Sequence, residues 1–62
     1  MATDVQSTLL LLYNCIAIKR ATALGYVNNA SDATTKNHAT IQVSTYDTVL
    51  IEIYNLLQQT DN

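Results

Sequence analysis

The side chains in this sequence that could carry chemistry are few and far apart. His38 is the only histidine and Cys15 the only cysteine. A catalytic site needs a constellation, such as a nucleophile with its base, paired carboxylates or a set of metal ligands. Cys15 falls among apolar neighbours, where a thiol behaves as a small inert hydrophobe. His38 stands among polar residues and reads as a solvated side chain. Asp47 and Glu52 are five residues apart, which on a helix separates them by about 140° and denies them shared acid–base work. One glycine cannot build a phosphate-cradling loop, and no Cys/His spacing suits structural zinc. The sequence therefore predicts no catalytic residues, no cofactor and no metal, and the expectation is a protein that is not an enzyme.

Charge narrows the partners. Five acids against three bases give a net charge of −2, and the bases Lys19, Arg20 and Lys36 form no stripe, so no nucleic-acid partner is expected. The most apolar run, Leu9 to Ile18, is interrupted by Tyr13 and Asn14 and is about half the length a bilayer span requires. No membrane span is predicted. Asp4 stands where a secretory leader would carry basic residues, so the expected location is cytoplasmic or within a virion.

These residues must be positioned by elements that the patterning describes. In the first half, Thr3 is a candidate N-cap with Gln6 at capping-box distance, and Asp4 favours the positive end of a helix dipole. Gly25 is a candidate helix stop, with Tyr26 folding back on the last turn. The pattern predicts a helix over 4–24 and a loop over 25–31. Within that loop, Asn29-Ala30-Ser31 matches a glycosylation sequon but reads as turn residues followed by a cap.

The second half reads two ways. Ala39, Val43, Tyr46, Leu50, Ile53 and Leu57 recur at four- and three-residue steps, a helical seam. Against this, eight of the 15 residues from Thr40 to Tyr54 are β-branched, and Val49, Ile51 and Ile53 alternate as in a strand. Helix over 32–59, capped by Ser31 or Asn37, is the leading reading, and strand stays open for 40–54. The fold class expected is all-α: one domain over 1–62, an antiparallel two-helix hairpin that oligomerises into a helical bundle or larger assembly.

The apolar faces exceed what a hairpin can cover. One stripe on the first helix runs Val5, Leu9, Leu12, Ile16 and Ala23; a second, about 120° away, runs Leu11, Cys15, Ile18 and Thr22, with Leu10 widening it. On the second helix Val49 and Leu56 lie off the seam. All four aromatics are tyrosine; Tyr46 reads as core, while Tyr13 and Tyr54 suit an interface because the ring is apolar and the hydroxyl polar. The predicted interaction surface is Leu10, Leu11, Tyr13, Cys15, Ile18, Thr22, Val49, Tyr54 and Leu56. Thr, Asn, Gln and Ser number 22 against eight charged residues, a surface suited to burial against neighbours. Such a chain is expected to be a structural subunit, a small accessory or coat component of a virion or other repetitive assembly, or alternatively an oligomeric adaptor or inhibitor that binds another protein.

Overall fold

The structure is a computed structural model that describes the backbone of residues 2–60 and the side chains of residues 4–59. Helix α1 spans Ala2–Asn29 and helix α2 spans Ala33–Thr60, each 28 residues long. Residues 30–32 connect them, and the two helices pack against each other along their length. A helix of this size is about 42 Å long, which accounts for molecular extents of 47 × 14 × 11 Å. The hairpin is a rod. Its radius of gyration is 14.3 Å, where a compact chain of this length has about 11 Å.

The internal face of α2 is the seam anticipated from sequence: Ala39, Val43, Tyr46, Leu50, Ile53 and Leu57 are all buried or half-buried. The β-branched stretch is helical throughout. Its apolar seam packs on α1, and that packing overrides the local strand preference. Thr40, Thr45 and Thr48 each donate to the carbonyl four residues back, on Lys36, Ile41 and Ser44, at 2.8, 3.0 and 3.2 Å. Thr8 and Thr22 do the same in α1, to Asp4 and Ile18. Each hydroxyl is thereby satisfied by its own helix.

The internal face of α1 departs from the expected stripe. Leu9, Ile16 and Ala23 do face inward, but Val5 and Leu12 are about half exposed, at 50% and 46%. Gln6, Tyr13, Arg20, Val27 and Ala30 complete the seam in their place, at unbroken three- and four-residue steps. An apolar count passes over Gln6 and Arg20. Arg20 can lie there because its Nε donates to Asp47 Oδ1 on α2, 27 residues away. Both side chains keep contact with water, so this pair adds little stability and serves chiefly to fix the helices' register.

The helix boundaries differ from the sequence reading. Gly25 does not stop α1, because its φ is not positive and the helix runs four residues further. The inward-facing Val27 and Ala30 extend the packed seam beyond it, and the Ala30 N–H still bonds the Tyr26 carbonyl at 2.8 Å. The loop is therefore 30–32 rather than 25–31. The cap expected at Thr3 lies outside the described side chains, although the helix backbone already begins at Ala2. The fraying expected at the C-terminus falls, for Asp61 and Asn62, outside the described residues.

The cap of α2 is neither Ser31 nor Asn37. Asp32 Oδ2 accepts the Thr35 N–H at 2.9 Å, and the Asp32 carbonyl accepts the Lys36 N–H at 3.2 Å, the geometry of an N-cap residue. The bond from Thr35 holds the Asp32 carboxyl below its ordinary value of 3.8. A depressed carboxylate pKa stabilises the fold above the unfolded-state value, and this contribution is lost as pH falls through the folded-state value. Asp32→Ala is therefore expected to melt at a lower temperature than the parent at pH 7. The gap should close as the pH is taken well below 3.8. Circular-dichroism melts of both chains across that range check this, and a gap that persists undiminished in acid would refute it.

Candidate interaction surface

Only Ala23, Ala39 and Ile53 are buried among the described residues, at 3–4% exposure, and no large side chain is wholly enclosed. Eleven large hydrophobics are exposed, including Leu10, Leu11, Leu12, Ile18, Ile41, Ile51, Tyr54 and Leu56. The accessible surface is 4615 Å², about 650 Å² more than a compact protein of this mass presents. A two-helix hairpin has no third layer with which to cover its flanks, and this one has left them bare.

The expected contact residues fall on three parts of this surface. Leu11, Cys15, Ile18 and Thr22 lie together on the side of α1 opposite its packed seam, and all are exposed, with Ile18 and Thr22 also bordering a groove shared with α2. Leu11 and Ile18 are 68% exposed, the highest values among the exposed large hydrophobics. The reading of Cys15 as a buried thiol does not hold for the single hairpin, because the packed seam runs along the opposite side of the helix. Arg20 takes up the inward position instead.

Tyr13 and Tyr54 are brought together on one flank. They line an open groove of about 650 Å³ between the helices, with Ala17, Leu50, Ile51 and the Arg20–Asp47 pair. Leu10 follows the same flank of α1, at a spacing of three residues from Tyr13. The sequence pairs the two tyrosines as contact candidates but gives no sign of the ion pair in the same groove, because Arg20 and Asp47 are 27 residues apart. Val49 and Leu56 lie toward the opposite flank, Val49 half-buried and Leu56 exposed. That flank has its own open groove, lined by Ile18, Lys19, Thr22, Ala23, Tyr26, Gln42 and Tyr46.

Among the described residues, no group of three or more His, Cys, Asp or Glu side chains is placed to hold a metal ion. No described helix is long and apolar enough to cross a membrane. The fold is thus an all-α hairpin whose distinguishing feature is uncovered apolar surface. No protein-family model, curated protein or solved structure matches it.

Proposed function

We propose that this chain is a non-catalytic assembly subunit, a helical hairpin that completes its hydrophobic core by packing against copies of itself. The observation that carries this reading is the imbalance between eleven exposed large hydrophobics and three buried residues among those described. Exposed apolar surface on this scale suits contact with another protein, and a bundle of hairpins supplies the missing layer. Threonine hydroxyls bonded back into their own helices suit the same end, since they enter an interface without losing a water partner. The biological setting that fits is a repetitive protein assembly, with a small coat or accessory component of a virion as the leading example. A location in the cytoplasm or in such a particle belongs to this proposal.

Size-exclusion chromatography with light scattering on the purified chain tests it. The expected mass at micromolar concentration is an integral multiple, two or greater, of 6.8 kDa. A folded monomer would overturn it. The groove shared by Tyr13 and Tyr54 favours a second reading, an oligomeric adaptor that presents this flank to an unrelated protein. In that case Tyr54→Ala abolishes capture of one stoichiometric partner and leaves the self-assembled mass unchanged.

A further inference from the structure

Gly25 lies inside α1 with an ordinary helical backbone, and a Cβ built on it would meet no atom within 4 Å beyond its chain neighbours and the adjacent helix backbone. Glycine within a helix is less favourable than alanine. Nothing inside the hairpin accounts for the missing side chain. At seven-residue steps Leu11, Ile18 and Gly25 form the centre line of the outer face of α1, so the bulky Leu11 and the smallest residue lie equally far from Ile18.

We infer that a second copy of this chain docks on that face, antiparallel and two-fold symmetric, with the axis at Ile18. The inference rests on the self-assembly reading and gives it a partner face and a register. Under that axis each Leu11 fills the space left by Gly25 of the other copy, and Asn14 lies against Ala21. Cys15 faces Thr22, and Ile18 meets Ile18. Large opposes small at both ends of the contact, the complementarity that helix packing requires.

Charge agrees with this occupant. The charged residues between Leu11 and Gly25 are Lys19 and Arg20. Arg20 turns inward to Asp47, and Lys19 lies about 100° around the helix from Ile18, so no like charges meet at the axis. The Thr22 hydroxyl is already bonded to the Ile18 carbonyl at 3.2 Å and is not orphaned by burial.

Thiol cross-linking of the full chain under oxidised glutathione reads the register directly. Across the proposed axis the two native Cys15 residues are about 9 Å apart along the helices, beyond the Cα separation of about 7 Å that a disulfide spans. The parent is therefore expected to stay uncrosslinked. Thr22→Cys, with Cys15 retained, should run as a covalent dimer on a non-reducing gel, and so should Ile18→Cys in a Cys15→Ala background. Gly25→Ala should weaken dimerisation about tenfold or more by sedimentation equilibrium, because its methyl group meets Leu11 of the other copy.

Cross-linking of the parent through Cys15 would overturn the register centred on Ile18. A parent that is dimeric by light scattering while neither cysteine variant cross-links would overturn the choice of face, as would a Gly25→Ala chain that dimerises as tightly as the parent. A monomeric parent overturns the self-assembly reading, and the register with it.

Discussion

Ile18→Lys should reduce the assembled chain to single hairpins at concentrations where the parent is fully associated. Ile18 is 68% exposed on the hairpin, at the rim of the groove it lines with Gln42 and Tyr46. Lysine is also the better helix former. Within the hairpin the substitution is therefore tolerated. In the dimer it removes the burial of two isoleucines, about 2 kcal/mol each, and sets two ammonium groups against each other where neither has a partner. A loss of at least about 4 kcal/mol weakens the dissociation constant roughly a thousandfold. Light scattering at matched concentrations reads the mass, and Ile18→Leu, which keeps the apolar contact, should retain the parent's value. Ile41→Lys is the informative comparison, since Ile41 is almost as exposed, at 66%, but lies on the outer side of α2. If hairpins pair through α1, this second variant leaves the dimer intact and affects only growth beyond it. Loss of the dimer in Ile41→Lys but not in Ile18→Lys would place the contact on α2 instead.

Those two isoleucines also show which parts of the fold were legible in the sequence. The seam of α2 could be read because six apolar residues keep the helical step without a polar interruption. The strand signal in the same stretch comes from residue preferences that tertiary packing overrides. The inner face of α1 was only half legible. Gln6 and Arg20 occupy positions an apolar pattern assigns to hydrophobes, and the partner that lets Arg20 lie there is 27 residues away. Distant pairs of that kind leave no local spacing to find. The outer face of α1 was legible for the opposite reason, because an apolar residue that faces solvent needs no partner in the chain to explain its place.

The helix boundaries failed where two local signals competed. Gly25 followed by Asn28 and Asn29 has the composition of a turn, but Val27 and Ala30 continue the packed seam, and burial decides where composition is evenly balanced. Ser31, Asp32 and Asn37 are all competent caps. Asp32 takes the role because Ala33 is the first helical residue, which sets the Thr35 N–H at the third position, within reach of its carboxylate.

Ile53→Ala should be the most damaging substitution to the hairpin itself. Ile53 is 4% exposed and is the largest of the three buried residues. Truncating such an isoleucine costs about 2–5 kcal/mol, the transfer term plus the cavity left behind. A domain of this size has only about 3–9 kcal/mol in total, so the change removes much of it and lowers the melting temperature by roughly 10–30 °C. Ile51→Ala supplies the control. Ile51 is 61% exposed beside the groove that holds Tyr13 and Tyr54, and within the hairpin its loss should change stability by no more than about 0.5 kcal/mol. The pair also separates helix from strand. On a helix residues 51 and 53 point about 160° apart, whereas on a strand they share a face. Two equally severe losses would therefore contradict the helical α2. Thermal melts at several protein concentrations extend the comparison to assembly, because a native state that exists only as an oligomer melts higher as concentration rises. That dependence is expected for the parent and for both variants, since neither change touches the outer face of α1. Its persistence in Ile53→Ala, at a lower temperature, would show that the hairpin's core and its contact with a second copy contribute separately to one folded state.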